Sequence, residues 1–82
     1  MKNIDIIVKY FGLIAEITRQ EQEVIQLQEG QKTQDLHQKL LKQYPSLKTS
    51  VFQIAHNQQL IYSNDPLKHL DEIALLPPFA GG

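Results

Sequence analysis

Residues 77–82 have the clearest chemical potential in the sequence; they are Pro77, Pro78, Phe79, Ala80, Gly81 and Gly82. At neutral pH a terminal carboxylate is an anion and reacts poorly in acyl transfer. Activation by a nucleotide would convert the Gly82 carboxylate into an acyl-adenylate, an electrophile that sulfur or nitrogen can attack. Gly82 is therefore the candidate reactive residue.

The composition of this segment suits the delivery of a chain end to another protein. Gly81 and Gly82 have no Cβ, so the backbone can enter a narrow channel with either sign of φ. Pro77 and Pro78 lack amide donors and favour an extended backbone, which disfavours folding back onto the sheet. Fully extended, six residues span about 20 Å. We expect an extended tail on a domain of residues 1–76, with an idle chain end as the alternative.

Length and composition limit the classes of protein open to this chain. It has 82 residues, a net charge of −1 and no cysteine. The lack of cysteine excludes disulfides, thiolate metal sites and cysteine nucleophiles. The near-neutral charge argues against a protein that binds nucleic acid. A domain of this size rarely encloses an active site, so we expect a carrier, an adaptor or a subunit.

The N-terminal segment has the pattern of a strand and not that of a signal peptide. Ile4, Ile6, Val8 and Tyr10 recur at every second position, and Asp5 interrupts the apolar run. No run approaches the roughly 18 apolar residues of a membrane span. We expect a cytoplasmic protein without membrane contact.

The first part of the chain is predicted to form a hairpin-like pair of strands. A strand over residues 4–11 ends at Gly12, and a short helical segment over 13–17 follows it. After a polar loop, the alternation of Ile25 and Leu27 with glutamines predicts a second strand that ends at residues 29–30.

The main helix is the best-defined element of the sequence. Thr33 is its predicted N-cap, Asp35 suits the positive end of its dipole, and Pro45 ends it. Its apolar stripe is predicted to comprise Leu36, Leu40, Leu41 and Tyr44, with Lys39, Lys42 and Gln43 facing away.

The remaining elements complete an α+β fold. They are predicted as a loop over 46–50, strands at 52–55, 60–62 and 73–76, and turns at 57–59 and 64–66. The order ββαβββ fits a β-grasp domain, in which one main helix packs on a mixed sheet.

Two other groups of residues could be mistaken for a site. His37, His56 and His69 lack the spacing of metal ligands and no cysteine joins them, so we expect no metal site. Asp71 and Glu72 are adjacent, and neighbouring side chains on a strand point to opposite faces. A solvated turn is the expected arrangement for this pair.

The sequence resembles the small subunit of molybdopterin synthase, a family of ubiquitin-like sulfur carriers. The resemblance extends over nearly the whole chain and implies a ubiquitin-like β-grasp fold. The matching segments are Tyr10-Phe11-Gly12 through Glu16, residues 55–58, 65–67 and 71–74, and above all the two prolines, two residues and diglycine of 77–82.

The resemblance also implies a mechanism. An ATP-dependent activating enzyme would adenylate Gly82, and sulfur transfer would then give a Gly82 thiocarboxylate, with Gly81 as its spacer. The tail would enter the large subunit of molybdopterin synthase and donate sulfur to cyclic pyranopterin monophosphate in molybdenum cofactor biosynthesis. The catalytic residues are expected on that large subunit, so the small subunit would be a non-catalytic sulfur donor that binds no cofactor.

The same resemblance implies a surface for partners and three departures from the family. Phe11, Leu60 and Leu76 fall where the family keeps an exposed apolar patch, the alternative for each being ordinary core.

Ala15 stands where the family usually has an arginine, which puts a contact with the activating enzyme in doubt. His56 replaces a usual aliphatic residue. Leu70 replaces a usual glycine, which predicts a turn of different shape.

Three other functions are compatible with these residues. The chain could carry sulfur for thiamin or another metabolite, although such carriers usually lack the double proline. It could be a ubiquitin-like modifier whose Gly82 is attached to lysines, since an amine can attack the same activated terminus. It could also be a β-grasp interaction domain with an idle tail.

Overall fold

A mixed β-sheet with one main helix packed against it is the architecture of the computed structural model, which describes residues 2–61 and 64–78. The elements are β1 (Asn3–Tyr10), α1 (Leu13–Thr18), β2 (Gln22–Gln28), α2 (Thr33–Gln43), a 3₁₀ helix (Pro45–Thr49), β3 (Gln53–His56), β4 (Gln59–Leu60) and β5 (Glu72–Leu76). This confirms the predicted strand–helix order and the β-grasp fold. Tyr62, which was predicted in the fourth strand, lies outside the described residues.

The strand that leads towards the tail lies in the middle of the sheet. The strand order is β2-β1-β5-β3-β4. β5 runs parallel to β1 and antiparallel to β3, while the β1–β2 and β3–β4 pairs are antiparallel. Because β5 is paired along both edges, the point at which the chain leaves the sheet is held from two sides.

Alternation along the strands separates a core face from an outer face. The side chains of the core face pack against the helices. The strand residues that alternate with them point to the opposite, outer face. The buried core comprises Ile4, Ile6, Val8, Tyr10, Ile14, Ile25, Leu27, Leu36, Leu40, Leu47, Leu67, Ile73 and Leu75.

The start of α2 differs from the prediction, because Thr33 is its first helical residue and Lys32 is the N-cap. A lysine side chain has no acceptor for the free amides of the first turn, so other residues complete the cap. The Asp35 carboxylate accepts a hydrogen bond from the Lys32 N–H (2.7 Å). Asn64 Oδ1 accepts one from the Gln34 N–H (3.0 Å). The cap is thus supplied partly by a distant loop, which attaches that loop to the helix.

The polar face of α2 is exposed as predicted, and two of its side chains bond to β2. Lys39 Nζ donates to the Gln26 carbonyl oxygen (2.6 Å), and Gln43 Nε2 donates to Glu23 Oε1 (3.2 Å). Lys39, Lys42 and Gln43 are all exposed, which confirms that they face away from the apolar stripe. The long side chains of Lys39 and Gln43 reach back over β2, the strand at one edge of the sheet, and help to cover it.

A cluster of two tyrosines and a glutamate fixes the end of α2 to the sheet. The Tyr10 hydroxyl donates to Glu23 Oε2 (2.6 Å), and the Tyr44 hydroxyl donates to the same oxygen. The two rings meet edge to face with centroids 6.0 Å apart. Burial, followed by the nearby Glu23 carboxylate, raises the pKa of both tyrosines above the ordinary value of 10.0.

Pro45 ends α2 as predicted, but the next segment is a 3₁₀ helix and not a loop. The Leu47 N–H donates to the Tyr44 carbonyl oxygen (2.9 Å), and the Ser50 N–H donates to the Leu47 carbonyl oxygen (3.2 Å). Leu47 is buried in the core, and this anchor holds the short helix in place. Within residues 2–61 and 64–78, no helix is long and apolar enough to cross a membrane.

Candidate functional site

After β5, the chain leaves the sheet by passing over Gly12, which lies between β1 and α1. Gly12 has φ 57° and ψ −133°, a backbone conformation that side chains with a Cβ avoid. A Cβ at this position would lie 2.9 Å from Pro77 Cγ. The absence of a side chain at Gly12 therefore makes the space in which Pro77 lies. Four of the predicted tail residues, Phe79, Ala80, Gly81 and Gly82, lie outside the described residues.

Phe11, Leu60 and Leu76 lie on the outer face of the sheet, and we call these three residues the sheet patch. Phe11 and Leu60 are 45% and 46% exposed, and Leu76 is half-buried. Phe11 follows the buried Tyr10, and its N–H donates to the Leu75 carbonyl oxygen (3.2 Å). The sequence left open that these residues belong to the core, but none of the three does.

The pairing register relates the members of the sheet patch. Leu60 is opposite Ala55, which is opposite Ala74, two residues before Leu76 on β5. Alternation therefore places Leu60 and Leu76 on the same face. The structure supplies a shared apolar face near the start of the tail.

An ion pair also lies on the outer face of the sheet. Lys9 Nζ lies 3.3 Å from Glu72 Oε1, and both side chains are about one third exposed. Such an exposed pair contributes little to stability. It does place charges beside the apolar residues, as at the rim of a protein interface.

A second group of polar residues fixes the start of β5, and sequence reasoning missed it. His56 Nε2 lies 2.7 Å from Asp71 Oδ2, and Asn57 Nδ2 donates to Asp71 Oδ1 (3.1 Å). The Glu72 N–H in turn donates to Asn57 Oδ1 (2.8 Å). These bonds connect the β3–β4 turn to the strand that carries the tail. They also explain how histidine is accommodated at position 56.

Asp71 is a bound carboxylate, so the prediction that it belongs to a solvated turn was wrong. Its side chain is 14% exposed. Burial alone would raise the pKa of Asp71, but hydrogen bonds from the Lys68 N–H, His56 and Asn57 outweigh it and hold that pKa below 3.8. No local motif signals this arrangement, because His56 and Asp71 are 15 positions apart.

The turn before β5 keeps a backbone conformation that suits glycine. Leu70 has φ 69°, in the left-handed region that residues with a Cβ disfavour. Its side chain is exposed, so burial of that side chain does not offset the strain. The Leu70 N–H donates to the Asp5 carbonyl oxygen (2.7 Å), which joins the turn to β1. Leucine at this position therefore does not by itself require the different turn shape that the sequence predicted.

A small apolar cavity lies at the other side of the tail origin. Its volume is about 260 Å³, and its lining comprises Leu13, Ile14, Thr49, Ser50, Val51, Pro77 and Pro78. Leu13 and Val51 are 62% and 74% exposed. Apolar side chains therefore flank the tail origin on the helical side of the sheet as well as on its outer face.

The histidines lie apart and make separate contacts. His37 meets the Phe52 ring edge to face, and His69 Nδ1 accepts a hydrogen bond from the Asp5 N–H (3.0 Å). In the part of the chain that the structure describes, no three histidine or carboxylate side chains form a group that could hold a metal ion.

Comparison with known proteins relates this arrangement to sulfur carriers and modifiers. The model of the ThiS family matches residues 8–82. The molybdopterin synthase sulfur carrier subunit of Chlamydomonas reinhardtii is 35% identical, over 92% of this chain and 95% of that protein.

Two solved structures extend the comparison. One is the complex of subunits 1 and 2 of the molybdopterin-converting factor from Helicobacter pylori, with 34% identity, 96% and 100% coverage and a TM-score of 0.70. The other is the small archaeal modifier protein 1 of Methanosarcina acetivorans, with 25% identity, complete coverage of both chains and a TM-score of 0.81.

Proposed function

This chain belongs to the ThiS family, and from that premise we propose that it is the sulfur-carrier subunit of a molybdopterin synthase. The observation that carries the proposal is the 35% identity to the algal sulfur carrier subunit along almost the whole of both chains. The geometry supports it, because the central strand β5 leads into Pro77 and Pro78 beside an exposed apolar face.

In the proposed reaction, the chain contributes one reactive group, the carboxylate of Gly82. A carboxylate oxygen attacks the α-phosphate of ATP on an activating enzyme, and pyrophosphate leaves. Hydrosulfide released from a sulfur donor then attacks the acyl carbon, AMP leaves, and loss of the S–H proton produces the thiocarboxylate. The large subunit would bind the tail and direct this sulfur to cyclic pyranopterin monophosphate. Gly81, Ala80 and Phe79 would lie within that subunit and carry Gly82 to the substrate.

The sheet patch is the proposed contact for both partners. Phe11, Leu60 and Leu76 present apolar side chains beside the first residues of the tail. Burial of such side chains supplies much of the energy of protein association. The converting-factor complex supports a large subunit as one partner.

Mass spectrometry of the charged protein tests the proposal. Incubation with an activating enzyme, ATP and a sulfur donor should replace one oxygen atom by sulfur and increase the mass accordingly. A variant that lacks Gly81 and Gly82 should show no such increase and no cofactor synthesis, although its fold is unchanged. Wild-type protein that stays a carboxylate while a known carrier is charged would refute the proposal.

A protein modifier is the second candidate, favoured by the similarity to the archaeal modifier protein. An amine of a target lysine would then attack the Gly82 adenylate in place of sulfur. Immunoblots of cells that express this chain distinguish the two functions. Covalent ladders that depend on Gly82 would indicate a modifier, whereas one free species together with cofactor synthesis indicates a sulfur carrier.

A further inference from the structure

The tail begins between two apolar surfaces, of which the proposed function uses only one. The sheet patch lies on the outer face. On the helical side, α1 and the segment after the 3₁₀ helix bring Leu13 and Val51 beside Pro77 and Pro78, around the cavity of about 260 Å³. We call these four residues the tail-root surface. Leu13 and Val51 are both more exposed than Phe11 and Leu60 of the sheet patch.

We propose that the tail-root surface is a second contact for the large subunit of the synthase, which inserts an apolar side chain between Leu13, Val51 and Pro77. This inference rests on the proposed function, because it takes the large subunit as the protein that receives the tail. It assigns a role to residues on the side of the tail opposite the sheet patch.

The reach of the tail identifies the occupant. Four residues follow Pro78 in the sequence and span at most about 14 Å when fully extended. A protein that holds Gly82 in an active site must therefore approach Pro78 closely. Because Pro77 and Pro78 themselves line the cavity, the same protein must come near the tail-root surface.

The size and chemistry of the cavity favour a protein side chain over a metabolite. Its volume is below the roughly 300–1,000 Å³ of ordinary ligand pockets. Most of its lining is apolar, and neither Leu13 nor Val51 offers a polar group that would orient a charged substrate. An exposed apolar recess of this size suits one aliphatic or aromatic side chain of a partner.

The solved complex of a relative favours the large subunit over the activating enzyme as the occupant. Subunits 1 and 2 of the Helicobacter pylori molybdopterin-converting factor were solved together, and this chain matches that structure with 34% identity over 96% of its length. A second apolar contact beside the tail would extend the proposed contact of such a subunit with the sheet patch.

Binding of three carrier variants to the purified large subunit tests this inference. Val51→Asp and Leu13→Asp each place a charge in the tail-root surface. Val24→Asp is the matched control: Val24 is 62% exposed and lies on β2, two strands away from β5. Calorimetry should show that each tail-root variant binds about tenfold more weakly or worse, as expected for a central interface residue, and that the control binds like wild type.

A second measurement does not depend on any variant. In wild-type carrier with labelled methyl groups, the NMR signals of Leu13 and Val51 should shift or broaden when the unlabelled large subunit is added, and those of Val24 should not. Charging of each variant by the activating enzyme is measured in parallel by mass spectrometry.

The outcomes separate this inference from the proposed function. If wild-type protein is charged and binds the large subunit but Val51→Asp and Leu13→Asp bind equally well, the tail-root contact is refuted and the proposed function stands. If these variants lose charging and retain binding, the surface belongs to the activating enzyme and the inference is again refuted. If the wild-type carrier neither charges nor binds, both proposals fail.

Discussion

Replacement of Gly12 by alanine should destabilise the fold and displace the start of the tail. Two structural facts determine the effect. Gly12 has φ 57° and ψ −133°, which a residue with a Cβ tolerates poorly, and the added Cβ would lie 2.9 Å from Pro77 Cγ. The first is a local backbone cost, while the second is a collision with the residue that leads into the tail.

The size of each contribution can be estimated separately. Holding a residue other than glycine in a sparsely populated backbone region costs about 1–3 kcal/mol. A methyl group forced into filled space adds typically about 1–3 kcal/mol, unless the neighbour moves away. We therefore expect Gly12→Ala to lower the free energy of unfolding by about 2–6 kcal/mol, the sum of these two ranges.

Gly30 provides a matched control for the backbone contribution. It has φ 94°, and a Cβ there would meet nothing within 4 Å. Gly30→Ala should therefore cost only about 1–2 kcal/mol, the cost of a left-handed conformation.

Urea unfolding of the single variants and of a Gly12→Ala/Pro77→Ala double variant measures the collision. Alanine at position 77 removes Cγ, the atom that the new Cβ would meet. In that background, Gly12→Ala should lower the free energy of unfolding by about 1 kcal/mol less than it does in the wild-type protein, because residues in contact are energetically coupled. Equal costs of Gly12→Ala with and without Pro77, or costs equal to that of Gly30→Ala, would refute the packing of Pro77 over Gly12.

Two further variants test the turn that starts β5. Asp71→Asn should lower stability at pH 7 by about 1–3 kcal/mol, because it removes the charged acceptor of bonds from His56 and the Lys68 N–H. Since the folded pKa of Asp71 lies below its ordinary value of 3.8, its contribution is present above that pH and is lost as the pH falls towards the folded pKa. Acid unfolding curves should thus be flatter below pH 3.8 for the variant, and an unchanged slope would contradict the assignment. Leu70→Gly should relieve the strain of a φ of 69°, which raises the free energy of unfolding by about 1 kcal/mol and therefore the unfolding temperature. The Leu70→Ala control should raise neither.

The parts of the fold that depend on local pattern were predictable from the sequence. Alternation fixed which residues of β1 enter the core, and the spacing of Leu36 and Leu40 identified the buried side of α2. Pro45 marked the end of the helix correctly, because it restricts the residue before it. Each of these signals operates within a few residues of the chain.

The errors arise where distant residues supply a partner. Asn64 caps α2 from 30 positions away, so Thr33 was assigned a role that the loop fulfils. The 3₁₀ helix is stabilised by the burial of Leu47. Because its neighbours are polar serines and a lysine, the local sequence predicts a loop. His56 and Asp71 show the same difficulty at the candidate site, since neither residue indicates the other in the sequence.

The arrangement around Gly12 separates the residues that stabilise the fold from those that surround the start of the tail. β5 is paired with both β1 and β3, so the core fixes the strand independently of anything beyond Leu76. Pro77 then passes over Gly12, and from that point the chain has apolar surface on both sides. Leu13 and Val51 are mostly exposed, so charges placed there should leave the free energy of unfolding nearly unchanged and act only on binding. Gly12 is different, because a side chain there would alter both the stability of the fold and the direction in which the tail is presented.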